Sequence, residues 1–211
     1  MRIRRALLYP VAAAVAIIIG LGIGYWTAAR PHAPPKTAAL LLNPPKSLPA
    51  FSLEGDANAP FTKEYLEGHW SLLYFGYTHC PDVCPMTMAN LNKMMVQLKS
   101  LPAAKQPRVY FISVDPRRDT PTLLKGYVQY FNSSFMGVTG TVVQLRDLTK
   151  PLGVAFSHEP PNQSGNYRVD HSAIVFFVNP KGRESAIFAP PMIPESMAAD
   201  YRAILGYSGD R

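Results

Sequence analysis

The stretch WSLLYFGYTHCPDVCPMTM, residues 70–88, joins an apolar, aromatic run to two cysteines that are each followed closely by proline. Residues 70–77 form a short apolar run bounded by Gly68 and by the cluster of cysteines and prolines, which predicts a buried β-strand. Residues 85–100 carry one apolar stripe at three- and four-residue spacing, which predicts a helix. The stripe consists of Leu91, Met94, Met95, Leu98 and Leu101. Both cysteines therefore fall at a strand-to-helix junction.

Short apolar runs and amphipathic segments continue to alternate toward the C-terminus. The predicted elements are a buried strand over 109–114, a helix over 120–131 that begins at Thr120-Pro121, strands over 173–178 and 184–188, and a helix over 194–205. The turn sequence NPKG, residues 179–182, joins the last two strands into a hairpin. This order predicts an α/β domain with a mixed sheet flanked by helices, in a thioredoxin-like layout.

The N-terminal region is a candidate membrane anchor. Residues 6–29 contain no charged side chain, and as a helix their 24 positions extend about 36 Å, enough to cross a bilayer core. Arg2, Arg4 and Arg5 precede this run, so the positive-inside rule predicts a cytoplasmic N-terminus. We expect a single-pass protein of the bacterial inner membrane with its C-terminal domain in the periplasm. A cleaved signal peptide is the alternative, and it also exports the domain.

Composition divides the rest of the chain and excludes nucleic-acid binding. Residues 30–49 are Pro-rich and predict a semi-rigid linker, so the chain is divided into 1–29, 30–49 and a domain over 50–211. Of the 21 basic residues, five lie within 1–36, where there is no acidic residue. The remaining 16 basic and 14 acidic residues leave the domain close to neutral. Such a domain lacks the basic surface that nucleic acids require.

Cys80 and Cys84 are the only cysteines, and three residues separate them. Pro85 favours a helix start, so Cys84 is expected near the N-cap, where the helix dipole should lower thiol pKa values. A structural disulfide would close a very short loop and gain little from the loop-entropy term. The common redox motif has two intervening residues rather than three. Two soft thiolates suit copper, especially with an added nitrogen ligand.

Five histidines are candidates for that nitrogen: His32, His69, His79, His158 and His171. His171 stands directly before the predicted strand AIVFFV, at the end of a sheet, where its side chain can reach a neighbouring loop. On spacing alone, however, a lone histidine at the entrance of a strand is more often a structural, hydrogen-bonding residue. His79, beside Cys80, suits either electrostatic tuning of the thiol or a solvent-facing position.

Three motifs taken together resemble one protein family. The segments GYTHCPDVCPMTM, VDPRRDTP and VDHSAIVFFVNPKG are similar to those of the SCO/SenC copper proteins, which serve cytochrome c oxidase assembly. The resemblance covers about residues 48–205 and implies a thioredoxin-like domain behind an N-terminal anchor. It implies that Cys80, Cys84 and His171 bind one copper ion, cuprous or cupric. Asn179-Pro180 replaces the Asp-Pro of many relatives, in a turn away from these ligands.

Four further side chains have a functional and a structural interpretation. Asp82, within the cysteine loop, either orients a ligand or stabilises a turn. Asp170 is either a hydrogen-bond partner of His171 or a solvated loop carboxylate. Met86 and Met88 offer thioethers to copper, but packing is favoured because they adjoin a helix with an apolar stripe.

The resemblance implies a metallochaperone that delivers copper to the dinuclear site of the copper-bearing oxidase subunit, together with other copper chaperones or thiol reductants. The alternative is a thiol:disulfide oxidoreductase that keeps the cysteines of that site reduced. A peroxidase of peroxiredoxin type and a copper sensor are further hypotheses. The residues around Cys80 and residues 158–170 contain the Gly, Pro, Asn and Ser typical of loops, so we expect them to move when metal binds.

Overall fold

A computed structural model describes residues 13–22, 35–55 and 59–207. The chain divides into two compact units, Met1–Pro35 and Lys36–Arg211. In the first, residues 13–22 form helix α1. No helix among the described residues is long and apolar enough to cross a membrane. Most of the predicted membrane span, 6–29, lies outside the described residues and stays a prediction.

The second unit contains ten strands and four α-helices among its described residues. The strands are β1 (Leu40–Ser47), β2 (Ser52–Glu54), β3 (Pro60–Thr62), β4 (Ser71–Gly76), β5 (Arg108–Ser113), β6 (Met136–Val138), β7 (Phe156–His158), β8 (Val169–His171), β9 (Val175–Asn179) and β10 (Arg183–Phe188). The helices are α2 (Val83–Leu98), α3 (Pro121–Phe131), α4 (Val142–Leu152) and α5 (Pro194–Tyr207).

Six strands form the main sheet, in the order β1-β10-β9-β4-β5-β6. The strands β4, β5 and β6 are parallel, whereas β9, β10 and β1 each pair antiparallel with their neighbours. Two small sheets, β2-β3 and β7-β8, stand apart from it. The predicted mixed sheet flanked by helices is therefore confirmed.

The central strands are buried because their sequences are apolar on both faces. Every residue of β4 and of β9 is buried, as expected for strands covered on both sides. Trp70 stacks on Phe177 with ring centroids 4.8 Å apart, and Tyr201 of α5 meets Phe177 edge-on at 5.0 Å. Each such side chain contributes about 1.5–3 kcal/mol through burial. This packing fixes the strands that carry the candidate site.

One end of the main sheet collects three segments of the chain. The last residue of β4, Gly76, pairs with the last residue of β5, Ser113. Because β9 runs antiparallel to β4, its first residue, Val175, lies opposite Tyr74 near that same end. The loops after β4 and β5 and the segment before β9 therefore meet there.

The predicted linker over 30–49 is wrong for residues 40–47, which form β1 at the edge of the main sheet. The strand tolerates two prolines because Pro44 and Pro45 lie between Leu41 and Lys46, where the pairing with β10 is interrupted. Proline lacks a backbone N–H and is therefore confined to such edges and bulges.

Candidate metal centre

The two cysteines face each other across the first turn of α2. This helix begins at Val83 with Asp82 as its N-cap, two residues earlier than predicted, so Cys84 is already helical. Pro85 is tolerated inside the first turn because N–H groups there have no intrahelical acceptor. The Cys84 N–H points at Cys80 Sγ, with a nitrogen-to-sulfur distance of 3.5 Å. Both are free thiols; Cys84 is fully buried and Cys80 is 9% exposed.

His171 is the third potential metal ligand, and it comes from a different segment of the chain than the two cysteines. It is the last residue of β8, and its Nε2 atom lies 3.3 Å from Cys84 Sγ. Its Nδ1 atom lies 3.4 Å from the carbonyl oxygen of Ser172. A proton on Nδ1 satisfies that carbonyl and leaves the Nε2 lone pair facing the thiol. The potential ligand atoms of Cys80, Cys84 and His171 all lie within 4.8 Å of one another.

Two tyrosine rings hold the imidazole in place. Tyr74 and Tyr77 meet His171 edge-on, with ring centroids 6.3 Å and 5.8 Å away. Both tyrosines are buried, and both belong to the segment that leads from β4 into the cysteine loop. The histidine therefore packs directly against the backbone segment that carries the thiols.

Burial controls the protonation of the site. It raises the pKa of Cys84 to about 12 and lowers the pKa of His171 below its ordinary value. The expectation that the helix start lowers the thiol pKa is therefore wrong for Cys84, because burial of the charged form outweighs the helix terminus. Near neutral pH the site holds a neutral imidazole beside a protonated Cys84. A soft metal cation that displaces the thiol proton would find two sulfurs and one nitrogen, a donor set that suits copper.

The two candidate carboxylates do not touch the ligand atoms. Asp82 is exposed and makes no side-chain capping hydrogen bond; its backbone carbonyl accepts from the N–H of Met86. Asp170 is also exposed, and the partner of the His171 Nδ1 atom is the Ser172 carbonyl rather than the Asp170 carboxylate. Burial lowers the pKa of His171, and the charge of Asp170 opposes that larger effect by raising it.

The two candidate methionines and His79 lie partly in the core and partly at the surface. Met88 is fully buried in the core, which confirms its packing role, whereas Met86 is 54% exposed, so the packing interpretation is wrong for Met86. The His79 side chain is 49% exposed; its Nδ1 atom lies 3.0 Å from Thr78 Oγ1. His79 is thus turned toward the loop that contains Asp119 rather than toward the thiols, with 3.7 Å between Nδ1 and an Asp119 carboxylate oxygen.

The sequence interpretation missed Asp119, which holds the cysteine loop. This carboxylate is fully buried. It accepts hydrogen bonds from the Thr78 N–H (2.9 Å), the Thr78 hydroxyl (2.6 Å) and the Ser113 hydroxyl (2.6 Å). Since Thr78 precedes Cys80 by two residues, Asp119 fixes the approach of the chain to the first thiol. The motif VDPRRDTP contained this residue, but its spacing gave no sign of the contact.

Gly76 was also missed. A Cβ atom at this position would lie 2.9 Å from both Cys84 Sγ and Phe111 Cε2, closer than real Cβ contacts. Only glycine lets the second thiol pack this tightly against the end of β4. A glycine at the end of a buried strand, directly before a cysteine loop, was the available signal.

Known proteins show the same combination of sequence and fold. Residues 42–206 match the SCO1/SenC family. A putative copper-binding protein of Stutzerimonas stutzeri is 38% identical over 143 residues, covering 68% of this chain and 69% of that protein. SCO2 of Saccharomyces cerevisiae mitochondria is 41% identical over 137 residues, covering 63% and 44%.

A solved structure agrees in fold. Yeast Sco1 with copper bound has a TM-score of 0.70 and 30% identity, covering 79% of this chain and 91% of that one. The chain spans about half the length or less of several mitochondrial relatives that it matches. Since the family match extends over most of the chain, this protein belongs to the SCO1/SenC family.

Proposed function

We propose that this protein is a copper metallochaperone that binds one copper ion through Cys80, Cys84 and His171. The observation that carries the proposal is the convergence of two sulfurs and one imidazole nitrogen within 4.8 Å. Soft thiolates select cuprous ion, and the added nitrogen also suits cupric ion. The match to proteins that are named for copper or that were solved with copper supports the same ion.

The ligand set also suits release of the cargo. Three protein donors leave a copper ion open to a further ligand, so an acceptor cysteine or histidine can bind before the donor ligands leave. Cys80 and His171 retain some exposure, and an open cleft beside His171 is lined by Phe156 and Asp170. Copper therefore stays within reach of a partner, while the buried Cys84 is the least accessible ligand.

The proposed acceptor is the dinuclear copper site of cytochrome c oxidase. Membership of the SCO1/SenC family supports this acceptor, since one solved member, BsSco, is described as belonging to the Sco family of cytochrome c oxidase assembly proteins. We further propose that residues 6–29 anchor the chain in the bacterial cytoplasmic membrane and that the domain lies outside the cytoplasm. At this location the copper site of this protein and the copper site of the membrane-bound oxidase subunit would lie in the same compartment.

Transfer is tested directly with the copper-loaded full chain in detergent and the reduced, metal-free copper-bearing oxidase subunit. We expect copper to appear in the acceptor as it leaves the donor, measured as the metal content of the two proteins after they are separated. Free copper held at the same activity by a chelator is the control. The chaperone role is wrong if the protein loads the acceptor with copper no faster, and to no greater extent, than the chelator does.

A thiol:disulfide oxidoreductase is the second candidate, and the proximity of Cys84 N–H to Cys80 Sγ favours it. Cys80 would attack a disulfide of the oxidase subunit and form a mixed disulfide. Cys84 would then displace the target thiol, leaving an internal disulfide and passing two electrons to the target. This reaction does not need His171. Loss of target reduction in a His171→Ala variant would therefore count against it.

A further inference from the structure

Arg118 lies at the centre of a partly buried cluster beside the metal centre. Its Nε atom donates to a carboxylate oxygen of Asp115, a fully buried residue. Its Nη1 atom donates to the backbone carbonyl of Tyr167 at 3.0 Å, and the guanidinium lies 3.6 Å from the centroid of the Tyr167 ring. One side chain thus makes an ion pair, a hydrogen bond and a cation–π contact.

Tyr167 is held at three points by this cluster and stands four residues before His171. Besides the carbonyl and ring contacts with Arg118, its hydroxyl donates to Asp115 at 2.7 Å. The opposite strand contacts the same cluster, since the Nε2 atom of His158 lies 3.7 Å from an Asp115 carboxylate oxygen and the ring centroids of His158 and Tyr167 are 5.9 Å apart. The loop that follows β5 therefore contacts β7 through His158 and the segment just before β8 through Tyr167.

The β7-β8 pair needs such support. Each strand has three residues, and the pair is a separate two-stranded sheet outside the main one. An isolated two-stranded pair is marginally stable in water. The position of His171, the last residue of β8, therefore depends strongly on the side-chain contacts that surround the β7-β8 pair.

The same loop reaches the cysteine side of the site. Arg118 also lies 5.7 Å from the centroid of the Tyr77 ring, which itself packs against His171. Asp119, the next residue, holds Thr78. Arg118 is thus placed between the segment that carries the histidine and the segment that carries the thiols.

We propose that Arg118 is a positioning residue for copper binding, which sets the distance of His171 from the thiols through Tyr167. This role rests on the proposed function, in which His171 is a copper ligand. The positioning role requires arginine. Lysine would keep the positive charge beside Asp115, but it lacks the planar guanidinium group, which stacks on the Tyr167 ring and donates to two acceptors at once.

A double-mutant cycle on the full chain in detergent tests the role. Copper affinity is measured with a competing chromogenic chelator for Arg118→Lys in the wild-type and His171→Ala backgrounds. We expect about a tenfold loss in the wild-type background, in the range for residues that orient metal ligands, and less than about a twofold loss without His171. Arg117→Lys, at the exposed neighbouring arginine, is the matched control and should change neither value.

The cycle separates positioning from a general structural role. Equal losses in both backgrounds, or no loss in the wild-type background, would overturn the positioning role. If His171→Ala weakens binding and Arg118→Lys does not, only this role fails. If His171→Ala itself leaves the affinity unchanged, the ligand assignment in the proposed function is wrong, and the role of Arg118 falls with it.

Discussion

The Nε2 atom of His171 lies 3.3 Å from the Sγ atom of Cys84, although 87 positions separate the two residues in the chain. The antiparallel pairing of β9 with β4 produces this proximity, because it returns the chain to the sheet end where the cysteine loop begins. The contact joins a protonated thiol to a neutral imidazole.

Replacing Gly76 by alanine should damage the site and the fold together. The added methyl group would press on Cys84 Sγ and Phe111, and overpacking of this kind costs about 1–3 kcal/mol. Chemical denaturation and copper affinity should both show the loss. Gly126→Ala is the control, since nothing lies within 4 Å of a Cβ there. That helical position should be neutral or gain up to about 1 kcal/mol. Equal stability of the two variants would contradict the assigned role of Gly76.

Asp119→Asn should loosen the cysteine loop. The substitution removes the charge that accepts hydrogen bonds from Thr78 and Ser113, and hydrogen bonds to charged groups contribute about 1.5–3 kcal/mol each. We expect a loss of unfolding free energy in that range and weaker copper binding. Asp82→Asn, at an exposed carboxylate without a capping bond, should stay within about 0.5 kcal/mol of wild type. The prediction fails if the two variants unfold alike.

Copper binding should release a proton from Cys84 throughout the neutral range. Because burial raises the pKa of this thiol to about 12, metal must displace its proton at every pH below that value. Apparent affinity should therefore rise about tenfold per pH unit from Cys84 alone. Chelator competition between pH 6.5 and 8.5 measures the slope. An affinity independent of pH would contradict the assignment.

The metal-free protein should lose stability in mild acid through His171. Burial lowers the folded-state pKa of this imidazole, so below the unfolded value of 6.5 the unfolded chain binds the proton more readily. The part of the unfolding free energy that depends on a neutral His171 is fully present above pH 6.5, and it falls as the pH drops toward the folded-state pKa. Urea unfolding at pH 7.5 and 5.5 should show a smaller loss in His171→Ala than in wild type. An identical loss in both would refute the prediction.

The sequence predicted the elements whose apolar pattern is strong. The strands β4, β5, β9 and β10 are short apolar runs, and the helices α2, α3 and α5 are amphipathic or apolar segments with clear starts. The helix α4 was not predicted, although Thr141 and Gln144 form a capping box at its start; it contains Pro151, a residue that disfavours helix interiors. The strand β1 was missed because its prolines suggested a linker.

The site was predicted in composition but not in its electrostatics or its supports. Motif and spacing indicated Cys80 and Cys84, whereas His171 depended on family resemblance. The raised pKa of Cys84 comes from burial, which appears only once the strands and helices have packed. The contacts of Asp119 and Arg118 likewise join segments far apart in the chain, so local pattern could not reveal them.

The most direct test of the account is an anaerobic cuprous titration of the reduced full chain in detergent, with chelator competition and X-ray absorption. Wild type should bind one copper ion per chain with two sulfurs and one nitrogen. His171→Ala should lose that nitrogen and at least about tenfold in affinity, while His79→Ala, at the exposed histidine beside Cys80, should match wild type. Unchanged stoichiometry, affinity and spectrum in His171→Ala would contradict the central claim.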